Sequence, residues 1–188
     1  MKSFFTLLMM AALVFVVSAS TTSHVLADFP APFVTNKTLA VNTVVIVGET
    51  ADAKDIVAGV EVVKYLYRFD EYRRVSPSSG GVQLSTIGIV RLDSEISNLS
   101  YYNAIVVGGP CANNVTSQLL GNPDPCYESV PRGGAIIKLI EQPNGNYALI
   151  INGRDSEQTR LAVEALIQGR ANVAANQTEV SSGIVISG

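Results

Sequence analysis

Four carboxylates follow two short apolar runs: Glu49 and Asp52 after residues 43–48, and Asp155 and Glu157 after residues 147–153. Paired carboxylates can move protons as general acid and base, or hold a hard cation through oxygen alone. Calcium is the ion such a set would take, although no EF-hand loop is present. Asp52 and Asp155 also stand where helices should begin. Capping a helix start explains both without any activity. A second candidate is Val107-Gly108-Gly109-Pro110. A strand ending in glycines before a helix can present free N–H groups to an anion. The spacing is not that of a dinucleotide fingerprint, no Walker lysine follows, and Pro110 removes one donor. Tight turns between strand and helix account for it.

Nucleophilic catalysis has little to work with. The only histidine is His24, and no lysine sits in a Ser-x-x-Lys context. Cys111 and Cys126 pair most simply as a disulfide in an oxidising compartment, with a reactive thiol or a metal pair as the alternative. Two cysteines without histidine make a poor zinc site.

The N-terminus decides how these residues are read. Lys2 precedes an apolar run at residues 4–17, a polar stretch at 18–24 and the small-residue pattern Val25-Leu26-Ala27. This is the pattern of a secretory signal peptide over residues 1–27. The run is shorter than the roughly 20 residues of a bilayer-spanning helix. Cutting 27 residues from 188 leaves 161, with 12 basic and 16 acidic side chains and neither histidine nor methionine. A mature chain of that size suits one domain without a transmembrane segment, and its acidity argues against a nucleic-acid partner. Asn36, Asn98, Asn114 and Asn176 head N-x-S/T sequons, candidate N-glycosylation sites in an exported chain.

The elements that must position these residues follow from periodicity. Residues 28–39 carry Pro30 and Pro32 and are expected as an extended N-terminal arm. Residues 40–188 then form a single domain. Three segments repeat one plan: an apolar strand, glycine, and a helix. The strands end at Gly48, Gly109 and Gly153, and they are apolar on both faces, as parallel strands between helices are. Ile56, Val60, Val63 and Tyr67 space out one face of the first helix; Leu161, Ala162, Ala165 and Leu166 do so in the third. Residues 134–140 and 147–151 flank an Asn-Gly pair and predict a hairpin, so one strand pair is antiparallel. Short strands are expected at 82–84, 87–90 and 184–186, with a loop at 76–81. Arg68 to Arg74 mixes both charge signs with aromatics and reads as a solvated helix end. The fold class is α/β: a three-layer, Rossmann-like domain with a mixed, mainly parallel sheet.

Taken in order, these pieces resemble the archaeal S-layer protein family. The matching residues begin with Phe29-Pro30-Ala31-Pro32-Phe33-Val34, then Val45-Ile46-Val47-Gly48 with Asp55-Ile56. The most specific stretch runs from Ala104 through Gly108-Gly109-Pro110-Cys111-Ala112-Asn113, with Leu119-Leu120-Gly121 behind it. Ala135 to Leu139, Ile151-Asn152-Gly153, Asp155, Thr159-Arg160-Leu161-Ala162 and Ala165-Leu166 complete the match. The resemblance implies a secreted cell-surface structural protein that forms or joins an extracellular lattice or filament by self-assembly. It implies no enzyme activity and no cofactor, with other copies, envelope proteins and glycans as partners. It also implies that the GGPCAN turn and the downstream cysteine are the family's disulfide-bearing element. Members are usually much longer, so a lattice-associated accessory role is open too. The alternative is a secreted glycan- or small-ligand-binding module, with Tyr101, Tyr102 and the carboxylates lining one cleft.

Overall fold

The computed structural model describes residues 23–36, 38–69, 89–171, 177–181 and 184–187. The apolar run of the leader, the 76–81 loop, the strand expected at 82–84, most of the Arg68–Arg74 cluster and Asn176 lie outside these residues.

Seven strands form the main sheet: β3 (Thr43–Val47), β4 (Val90–Leu92), β5 (Asn103–Val107), β6 (Gly134–Glu141), β7 (Tyr147–Gly153), β8 (Gln177–Ser181) and β9 (Ile184–Ser187). Their order across the sheet is β4-β3-β5-β7-β6-β8-β9. β4, β3, β5 and β7 are mutually parallel; β6 runs against β7 and β8, and β9 against β8. Five strands therefore point one way and two the other, the mixed and mainly parallel sheet that the both-face apolar runs require. Every residue of β3, β5 and β7 is buried.

The two faces are covered unequally. Helices α1 (Ala53–Tyr67) and α3 (Ser156–Ile167) pack on one face, over Val45, Val47, Ile105, Val107, Leu149 and Ile151. The other face holds a smaller cluster around Val44, Ile46, Ala104 and Val106. Among the described residues, the short helix α2 (Asn114–Leu119) and one-turn helices at Asp93–Glu95 and Leu99–Tyr101 lie near it.

Helix α1 is rotated from its expected face. Ala58, Gly59, Val62, Val63 and Leu66 are buried, whereas Ile56 and Val60 are exposed. The physical reason is close approach: a Cβ on Gly59 would lie 2.8 Å from Val47 Cγ1. Small residues, not the largest apolar ones, mark the contact line.

The N-terminal arm is not extended throughout. Leu26–Asp28 forms a one-turn helix, and β1 (Val34–Thr35) pairs with β2 (Thr38–Leu39) around Asn36 at φ 50°. Its apolar residues need cover, and the domain itself supplies it. Phe33 is wholly buried, and Phe29 stacks on Tyr65 of α1 with ring centroids 5.5 Å apart.

The strand-end glycines have a steric cause. A Cβ on Gly48 would lie 1.8 Å from the Ala112 carbonyl oxygen, and one on Gly153 would lie 2.3 Å from the Thr159 nitrogen. Gly48→Ala should therefore destabilise the fold by about 3 kcal/mol or more, as overpacking against a backbone that cannot yield does. Thermal or denaturant unfolding measures it.

Candidate site at the strand C-terminal edge

The three strand-to-helix turns meet at one edge of the sheet, where open α/β sheets usually bind ligands. A cleft of about 220 Å³ lies there, lined by Thr50, Asp52, Asp55, Tyr127, Arg154, Asp155 and Ser156 among others. The structure brings Asp52 and Asp155 to this cleft as expected. Each also caps its helix: Asp52 accepts from the Lys54 N–H at 2.9 Å, and Asp155 from the Gln158 N–H at 2.9 Å. The Lys54 N–H, with a hydrogen bond from Ser156, holds the Asp52 carboxyl below its ordinary range.

Glu157 is outside the cleft and ion-paired with Arg160 at 2.7 Å and Lys54 at 3.1 Å. Hydrogen bonds from these cations take its pKa down to about 2. It tethers the start of α1 to α3 and is not a proton donor at neutral pH. Glu49 is exposed, and its N–H donates to Asp93. Glu49 and Glu157 thus stand apart from Asp52 and Asp155. Among the described residues, no three His, Cys, Asp or Glu side chains converge as a metal site would need.

The glycine turn is committed inward. Gly108 N–H donates to Ile151 O, and Ala112 and Asn113 both donate to Gly109 O at 3.0 Å. Thr116 Oγ1 donates to Gly108 O at 2.9 Å, and Asn113 Nδ2 to Val107 O at 3.1 Å. The N–H groups of Gly108, Ala112 and Asn113 are thus committed, and Pro110 has none to offer. Cys111 and Cys126 are joined as a disulfide, Cα atoms 5.2 Å apart, so the segment from Ala112 to Pro125 is closed on itself. Arg154 stacks 4.6 Å over the Tyr127 ring and donates to Val130 O, tying the end of that segment to the third turn.

Two acidic residues matter more than the sequence signalled. Asp93 is buried and accepts from the N–H groups of Glu49 at 2.7 Å, Asn114 at 2.7 Å and Ser94 at 3.0 Å. It clamps the first turn to the start of α2. No local pattern marks it, because its partners lie 44 and 21 residues away. Asp55 is also buried, and its Oδ1 has no hydrogen-bond partner among the described residues. Burial pushes its carboxyl above the ordinary range, opposed by a hydrogen bond from Thr159 and reinforced by Asp52 and Asp155. Tyr101 and Tyr102 lie at the opposite edge, just before β5, so they share no cleft with the carboxylates. The five-residue strand separates them by roughly 15 Å.

Two outcomes follow. A carboxyl raised in the folded state costs stability above its folded pKa, and that cost vanishes below the unfolded value of 3.8. Asp55→Asn should therefore raise unfolding stability at pH 7, with the gain fading as pH falls toward 3.8 in denaturant titrations. Replacing Cys111 and Cys126 together by alanine should cost about 3 kcal/mol in the same assay, for a loop spanning 15 residues.

The comparisons with known proteins agree with this frame. The family model described as "S-layer like family, outer domain" matches residues 73–169, just over half of the chain. That stretch carries the second and third turns, the disulfide and the β6–β7 hairpin. An S-layer protein of Methanothermococcus thermolithotrophicus is 36% identical over 91 residues, 44% of this chain. The match spans only 15% of that relative's length. The chain belongs to the S-layer like family.

Proposed function

We propose that this chain is an exported, non-catalytic structural protein of the cell surface that forms or joins an extracellular lattice or filament by self-assembly. Family membership carries the reading. The strand-edge geometry supports it, because the polar groups there cap helices and lock turns. The ligand-binding alternative loses Tyr101 and Tyr102 from its cleft, since they stand at the other edge.

An assembling protein must leave apolar surface for its neighbours. Ile56, Val57 and Val60 are exposed on α1, beside a groove lined by Val57, Val163 and Ile167 together with Glu61, Arg160 and Glu164. We assign this face to a neighbouring copy, as a layer requires. Asn36, Asn98 and Asn114 are exposed, as glycan acceptors must be; Asn176 stays a candidate outside the described residues. The Thr116 hydroxyl of the Asn114 sequon is buried against Gly108 O, which favours Asn36 and Asn98 in the folded chain.

Immunolabelled electron microscopy of native envelopes should find the protein in ordered arrays. Val57→Asp should abolish its association while leaving the unfolding midpoint within about 2 °C, as exposed substitutions do. A protein recovered only as a free monomer overturns the reading.

A further inference from the structure

The leader's end and the domain's beginning overlap. Removing residues 1–27 would take Leu26, which has no exposed surface and sits in the main core with Phe33. It would also take His24, whose N–H donates to the Tyr147 hydroxyl at 2.9 Å and whose ring meets Tyr147 edge-on at 5.4 Å. Tyr147 opens β7, a central strand, and is itself buried. Ser23 Oγ donates to Glu141, and Val25 N–H to the Asp28 carboxylate. Residues 23–28 are thus docked by a core side chain, a ring pair and hydrogen bonds to β6 and β7. Removing a wholly buried leucine leaves an unfilled cavity, one of the larger single losses a core can suffer.

The sequence offers another cut. Directly after the apolar run stand Val17-Ser18-Ala19, followed by Ser20. Ala19 provides the small residue that a signal peptidase needs beside the bond. We infer that the mature chain keeps residues 23–27 and that the processing site is the Ala19–Ser20 bond. This rests on the export reading above. The step is amide hydrolysis: water supplies hydroxyl to the Ala19 carbonyl and a proton to the Ser20 nitrogen. The polar residues Ser20 to Ser23 then lead into the docked segment, and the mature protein retains its histidine. The Val25-Leu26-Ala27 pattern is a structural turn that imitates a cleavage signal.

The chain isolated from the envelope of its own cells, read by N-terminal sequencing and intact mass, decides the matter. A first residue from Ser20 to Ser23 supports retention, with Ser20 expected. A start at any residue from His24 to Asp28 overturns it. A start at Met1 instead overturns the export leader, so the two failures are distinguishable. Ala19→Phe should block or displace processing, whereas Ala27→Phe, at an exposed position, should leave it unchanged. The packing argument has its own test. Chains made to begin at Ser20 and at Asp28 should differ in Tm by roughly 5–10 °C, the longer being the more stable. Equal Tm values would sink the physical basis.

Discussion

The nesting of three strand-to-helix turns is the constraint on which this domain depends. Parallel strands β3, β5 and β7 end side by side, so their turns must share one narrow edge. Gly48 lies against the Ala112 carbonyl, and a Cβ on Gly109 would be 3.0 Å from the Gly153 carbonyl. Side chains at these positions would force the turns apart and with them the strands. The sheet's register, the direction of α1 and α3 and the start of α2 are all set from this edge. Asp93 then fastens the first turn to the second with its carboxylate, and Arg154 fastens the third to the loop that Cys126 closes.

The same crowding sets how the carboxylates at this edge are used. Several polar groups brought to the edge are used in holding it. Asp52 and Asp155 terminate helices, Glu157 bridges α1 to α3, and the glycine turn's donors point inward. Asp55 is the exception, a buried carboxyl that the fold tolerates at a cost. His24 does not alter this picture. It rests against Tyr147 at the beginning of β7, on the far edge of the sheet from the cleft.

The regular part of the fold was legible in the residues because strong local signals produced it. Apolar runs ending in glycine marked β3, β5 and β7, Asp52 and Asp155 marked helix starts, and Asn144-Gly145 marked the β6–β7 hairpin. What was not legible depended on distance in the chain. The buried face of α1 is set by Gly59 meeting Val47, which helical periodicity of large residues cannot register. β8 has little apolar content, since it reads Gln-Thr-Glu-Val-Ser, and it takes its place by pairing with β6. Asp93 and the amide group of Asn42, Asn103 and Asn146 at the opposite edge likewise acquire meaning only once remote backbone arrives. Tyr101 and the carboxylates had compatible chemistry but opposite ends of a strand.

The disulfide gives the molecule a direction in time. The stretch it closes contains only a six-residue helix, and few buried side chains hold that helix to the sheet. Under reducing conditions this stretch has weak reason to settle, and the third turn it braces through Tyr127 and Arg154 settles less firmly with it. A chain in that state has a looser second turn than the oxidised domain. Oxidation to the disulfide then holds the stretch against reopening. The staple is in that sense a latch, set once the stretch has found its place.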